Sequence, residues 1–139
     1  MPRPVTPQIA IDSIIQLINK PGKPIVLIER LYPPFGWALP GGFMEVGETT
    51  EAGGCREALE ETGLVITIVG LVGIYSDPLR DPRGHTVGIT YAAQALGEPK
   101  AADDAKNVGL FTRDDLPAEL AFDHAKILKD YFAAGFYEA

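Results

Sequence analysis

The sequence predicts an α/β chain of the α+β kind, a mixed β-sheet sandwiched between helices. Three observations predict it. Runs rich in β-branched residues lie on both sides of one short, acid-bearing helix; an amphipathic helix closes the chain; and 46% hydrophobic content over 139 residues suits one core. A single domain over 1–139 is the simplest arrangement, with no repeats or low-complexity tracts.

The first run, Ile9 to Ile18, alternates imperfectly, and Ile25 to Arg30 is a second. Pro21-Gly22-Lys23-Pro24 separates them and reads as a hairpin or strand connection. Leu31 to Gly36 follows, a loop held extended by Pro33 and Pro34. Then comes Trp37-Ala-Leu-Pro-Gly-Gly-Phe43, with Trp37 expected in the core.

The next helix is capped by Thr49 or Thr50 and ended by Gly63 in the left-handed conformation. Residues three and four apart share a helical face, so Glu57, Glu60 and Glu61 project into one narrow sector. Ala52, Cys55, Ala58 and Leu59 fall opposite and are expected to pack on the core, with Cys55 a buried small hydrophobe. Gly53 and Gly54 each cost about 1 kcal/mol relative to Ala in a helix interior. Either another segment or a ligand approaches the backbone there, or the site is simply tolerant. No Lys or Arg is expected near enough to offset the three carboxylates. A cation should therefore sit among them, and carboxylate oxygens are hard ligands suited to Mg²⁺ or Mn²⁺.

Val65 to Tyr75 reads as a strand with bulges at Gly70 and Gly73, and Thr86 to Leu96 as another. The loop between them, Ser76 to His85, holds Arg80, Arg83 and His85, candidates for phosphate or ribose contacts because cations are scarce elsewhere. Arg30 is a further candidate contact with substrate, and Tyr32 or Phe35 could stack on a base. Glu98 to Val108 reads as loop, and Thr112 to Pro117 as a turn. Phe122 to Ala134 is the closing helix, with Ala125, Leu128 and Phe132 on its apolar stripe and His124 a hydrogen-bonded structural residue.

Composition narrows the function. A net charge of −7 without a Lys/Arg cluster opposes nucleic acid, while a divalent ion can still bridge an acidic site to a small phosphate ester. No run approaches a membrane span, Met1 to Pro7 lacks a signal peptide's apolar segment, and a cytoplasmic protein is expected. Cys55 is the only cysteine, which excludes an internal disulfide and a cysteine-based zinc cluster.

Gly42 to Leu64 fits the pattern G-x5-E-x7-R-E-U-x-E-E-x-G-U, with U aliphatic, at Gly42, Glu48, Arg56, Glu57, Ala58, Glu60, Glu61, Gly63 and Leu64. This resembles the box of the Nudix hydrolases, which cut nucleoside diphosphates linked to another group; Ala58 is smaller than is usual there. The resemblance runs from about Ile9 to Phe132 and implies the Nudix fold, an α/β/α sandwich. It also implies that Glu57, Glu60 and Glu61 bind Mg²⁺ or Mn²⁺ with the carbonyl of Gly41, while Glu48 and Arg56 orient the helix and its carboxylates. A carboxylate about forty residues beyond the box often binds another metal or acts as base. Asp104 is the first choice, Asp103 the second, and the base could equally be a box glutamate. Asn107 stands where relatives often have Glu.

The segment Y-S-D-P-x-R-D-P-R-G-H-T, here Tyr75 to Thr86, is similar to a stretch of the ADP-ribose pyrophosphatase branch. The reaction implied is ADP-ribose plus water giving AMP and ribose 5-phosphate. Two alternatives stand beside it: a pyrophosphohydrolase of oxidised nucleoside triphosphates, and a non-catalytic nucleotide sensor. Relatives in this branch often form homodimers that complete the pocket, which makes a homodimer an expectation here.

Overall fold

The first strand, β1 (Gln8–Leu17), is the spine of the sheet, and its last seven residues are buried. The structure is a computed structural model and describes residues 2–138, so Met1 and Ala139 of the expected 1–139 unit lie outside it. β1 runs parallel to β6 (Thr86–Ala95) through ten paired positions, from Gln8↔Thr86 to Leu17↔Ala95. On its other side it pairs antiparallel with β2 (Ile25–Arg30) and β4 (Gly41–Phe43). β3 (Trp37–Ala38) extends the sheet beyond β2, and β5 (Thr67–Tyr75) extends it beyond β6, for an order β3-β2-β1-β6-β5.

The period-two geometry of a strand sends neighbouring residues to opposite faces, and each face has its own core. Ile14, Leu27 and Ala92 belong to the cluster that contains Ile127, Leu128 and Tyr131 of helix α2 (His124–Ala133). Their neighbours Ile15, Val26 and Ala93 belong to the cluster that contains Ala58 of helix α1 (Thr50–Thr62). The sheet therefore separates the two helices, as the fold class requires.

Three elements depart from the sequence reading. Residues 105–108 are not loop but the start of β7 (Ala105–Phe111), antiparallel to β2. Lys106, Asn107 and Gly109 have weak strand preference, and it is pairing with β2 that holds the segment extended. On α2 the buried stripe is His124, Ile127, Leu128 and Tyr131, and Ala125 is exposed. On α1 the buried face is Gly53, Gly54, Glu57, Ala58 and Thr62, while Ala52, Cys55 and Leu59 are exposed. The glycine pair explains this last inversion. A Cβ on Gly53 would stand 2.5 Å from Ile11 Cδ1, and one on Gly54 3.3 Å from Ile11 Cγ2. The helix lies flat on β1 through two residues without side chains, and the approaching segment is a strand rather than a ligand.

Both ends of α1 follow their residues. Thr49 accepts from Ala52 N–H at 3.1 Å, and Gly63 at φ 73° returns its N–H to Leu59 O at 2.9 Å. The bulges expected at Gly70 and Gly73 are present as register shifts in the pairing of β5 with β6.

Candidate active site

The acid-bearing helix, the β4 glycines and the loop before β7 meet at a pocket of about 540 Å³. Glu57, Glu60 and Glu61 of α1 form one wall with Asp104 and the main chain of Gly41 and Gly42. Arg30, Arg80, Arg83, Asp12 and His124 line the same pocket, and the charge of Arg30 acts on Glu61.

Arg56 organises the acidic wall from behind. Its Nε and Nη2 donate to the two oxygens of Glu48 at 3.0 and 2.7 Å, and Nη2 also reaches Phe43 O at 3.1 Å. Nη1 donates to Glu57 Oε1 at 2.9 Å and to Glu60 Oε2 at 3.2 Å. The expectation that no cation lies near the carboxylates is thus corrected. A fork-shaped guanidinium one residue before Glu57 and four before Glu60 reaches both. Arg56 and the Glu45 N–H hold the Glu48 carboxyl down at about 2. Glu48 and Arg56 therefore act on the wall without lining the pocket.

Glu61 differs from its neighbours. Burial, then the charges of Asp104, Glu57 and Glu60, push its carboxyl up to about 7. Burial also raises Glu57, against the opposing pull of Arg56. Among the described residues no three acidic or imidazole groups already converge on one point, with Arg56 holding Glu57 and Glu60. The donor chemistry nevertheless suits a hard divalent cation: four carboxylates and a carbonyl share one wall, and the crowding that raises Glu61 is what such an ion relieves. Gly42 contributes the space, since a Cβ there would lie 2.5 Å from Glu57 Oε2.

The other sequence candidates divide. Tyr32 lines the pocket at its rim. Phe35 lines a neighbouring hollow instead, with Trp37 and Lys106. His85 is exposed, sits 3.0 Å from Ser76 O and lies outside the pocket lining, as does Asp103. Arg80 is buried and bonded to both oxygens of Asp123 at 2.9 and 2.8 Å, which commits its guanidinium to pinning the 76–85 loop on the start of α2. Arg83 is bound to Asp81 at 2.9 and 3.0 Å yet remains half-exposed. Arg30 and Arg83 lie over the ring of Phe122 at 4.9 and 5.1 Å. Asn107 pairs across the strands with Glu29 at 2.7 Å, so that position serves the sheet.

Sequence reasoning missed Phe122, whose φ of 56° is unusual for a bulky residue, and Asp12. Asp12 had a signal: it is the one acid in the buried run of β1. Burial raises its carboxyl to about 7.

His124 accepts a hydrogen bond from Leu39 N–H at Nδ1, 3.0 Å, so its other nitrogen, Nε2, carries the proton. Burial lowers its pKa from 6.5 to about 4. A depressed histidine stabilises the fold above the unfolded value and loses that contribution as pH falls through the folded one. Between pH 6.5 and 4 the wild type should lose up to about 3 kcal/mol more stability than His124→Gln. Urea titrations at a series of pH values check this, and parallel curves for the two proteins would refute it.

Known proteins share this sequence pattern and fold. The NUDIX domain family model matches residues 8–131. The chain is 50% identical over 128 residues to the ADP-ribose pyrophosphatase of Methanocaldococcus jannaschii, covering 90% of this chain and 73% of that protein. It is 30% identical over 135 residues to the ADPR responsive transcriptional repressor NtrR of Acinetobacter baylyi, covering 92% of this chain and 54% of the repressor. A crystal structure of a MutT/nudix family protein from Enterococcus faecalis superposes with a TM-score of 0.84 at 33% identity, covering 96% of this chain and 64% of that one. The box on α1, the sheet that carries it and a match from β1 to Tyr131 of α2 agree, and the chain belongs to the Nudix hydrolase family.

Proposed function

We propose that this protein hydrolyses the pyrophosphate of ADP-ribose to AMP and ribose 5-phosphate. The observation that carries the reading is a pocket lined both by carboxylates and by Arg30 and Arg83, in a chain half identical to a protein named for that activity. A lining that carries both signs of charge suits a pyrophosphate. The guanidinium groups take anionic oxygens, and the carboxylates serve the remainder through a cation.

Glu57, Glu60, Glu61 and the Gly41 carbonyl would hold Mg²⁺ or Mn²⁺, which when bound neutralises phosphate charge and acidifies water. Arg56 keeps Glu57 and Glu60 in place, and Glu48 keeps Arg56 in place. Water attacks one phosphorus, the bridging P–O bond breaks, and the proton goes to a nearby carboxylate. Asp104 or Glu61 would take it; both line the pocket and neither is bonded to Arg56. Tyr32 at the rim offers a ring for the adenine. An exposed free Cys55 fits a reducing compartment, and we place the protein in the cytoplasm.

A substrate panel with Mg²⁺ or Mn²⁺, read by release of the nucleoside monophosphate, tests the reading. ADP-ribose should exceed ordinary and oxidised nucleoside triphosphates in kcat/KM by about tenfold or more. A preferred triphosphate would replace the substrate, and tight ADP-ribose binding without turnover would replace catalysis with sensing.

A further inference from the structure

Asp12 is the pocket residue that the chemistry above leaves unused. It is 8% exposed, lines the pocket, and no described group donates a hydrogen bond to its carboxylate. Its nearest cation-forming neighbour, His124 Nε2, is 3.8 Å from Oδ2, beyond hydrogen-bond reach. Arg80 acts on it by charge but directs Nε and Nη2 to Asp123 and Nη1 to Thr86 O. Thr90, its register partner on β6, leaves the sheet on the same face and has a buried hydroxyl with no partner either. Native structures rarely leave buried polar groups unmet, and those that remain at a pocket are met by water or by a ligand.

The geometry identifies the chemistry of that ligand. His124 Nε2 is a donor, because Nδ1 already accepts from Leu39. The carboxylate is an acceptor, and a gap of 3.8 Å admits one oxygen at about 2.8 Å from each. That oxygen must accept from the imidazole and donate to the carboxylate, which a water does, as does a sugar hydroxyl that displaces it, and an unprotonated phosphate oxygen does not. Asp12 also lies against Gly41, whose absent Cβ would fall 2.1 Å from Oδ1, so the site adjoins the acidic wall where the pyrophosphate is cut.

We propose that Asp12 and His124 form a hydroxyl-binding subsite that receives a hydroxyl of the sugar beyond the pyrophosphate and repels a terminal phosphate at the same place. This rests on the ADP-ribose reading and deepens it. In its ionised form, which prevails above about pH 7, the carboxylate accepts a hydrogen bond from the sugar hydroxyl, while a γ-phosphate there would bring two like charges together. Asp12 is thereby a specificity determinant.

The experiment compares ADP-ribose with the ADP ester of tetrahydrofurfuryl alcohol, which has the same ring without hydroxyls. Wild type should favour ADP-ribose in kcat/KM by ~100-fold, and Asp12→Ala should shrink that ratio to below ~5. Asp12→Asn, which preserves shape and guards against misfolding, should lower the ratio by about tenfold and tighten inhibition by ATP by about tenfold. A selectivity ratio unchanged in both variants, or ATP inhibition no tighter in Asp12→Asn, overturns the proposal. Should wild type leave ADP-ribose uncleaved, the substrate reading alone fails. Calorimetry with ribose 5-phosphate then reads the subsite: tighter binding to wild type than to Asp12→Ala sustains it, and equal binding overturns it.

Discussion

Glu60→Gln and Glu61→Gln are each expected to lower kcat by about 10²- to 10⁴-fold while the melting temperature stays within a few degrees. Glutamine preserves the volume of the side chain and removes its charge, so the change falls on electrostatics alone. For Glu61 the structural cost is slight, because its carboxyl is already pushed up to about 7 by burial and by Asp104, Glu57 and Glu60. Removing that charge relieves repulsion, and Glu61→Gln should be at least as stable as wild type. Glu60 is exposed and gives up one 3.2 Å bond from Arg56, a contact of small value at a surface. Steady-state kinetics with thermal melts on the same preparations check both variants. Activity within threefold of wild type for the pair would remove the carboxylates from the chemistry.

Gly41→Ala has the largest expected effect on stability. The added Cβ would stand 2.1 Å from Asp12 Oδ1, 2.4 Å from Ile11 O and 2.8 Å from Asp12 Cα. Two of these atoms are backbone of the central strand, which cannot turn away as a side chain could. Relief requires β4 to separate from β1, breaking the pairs Asp12↔Gly41, Ile11↔Gly42 and Ala10↔Phe43. A loss of about 3 kcal/mol or more follows, or roughly 10 °C in melting temperature. An unchanged urea midpoint would show that the strand yields more easily than its packing implies.

The legible parts of the fold were those whose residues state their own geometry. Long β-branched runs marked β1, β2, β5 and β6, and Thr49 and Gly63 marked both ends of α1. β7 was illegible because Lys106-Asn107 and Gly109 are held extended by β2, a partner about eighty residues away in sequence. The core face of α1 was illegible for a related reason. A helical wheel assigns burial to apolar side chains, and here close approach is made through the bare backbone of Gly53 and Gly54.

The box acids and Arg56 could be named from their spacing, yet the contacts of Arg56 with Glu48, Glu57 and Glu60 could not. Arg80 looked like a phosphate ligand because cations were scarce. Its commitment to Asp123 is a tertiary fact that no local pattern encodes. Asp12 and His124 meet only because β1 and the start of α2 border the same pocket.

The parallel pairing of β1 with β6 sets a timetable for synthesis. The central strand leaves the ribosome early, and the neighbour that covers its full length emerges only after α1 and β5 have been made. Until then Ile11, Ile14, Ile15 and Leu17 travel without their final cover, in contact with whatever the cell offers. Closing a loop of that size is a slow, entropically costly event, so the newborn chain is most vulnerable to clumping before its middle third is complete.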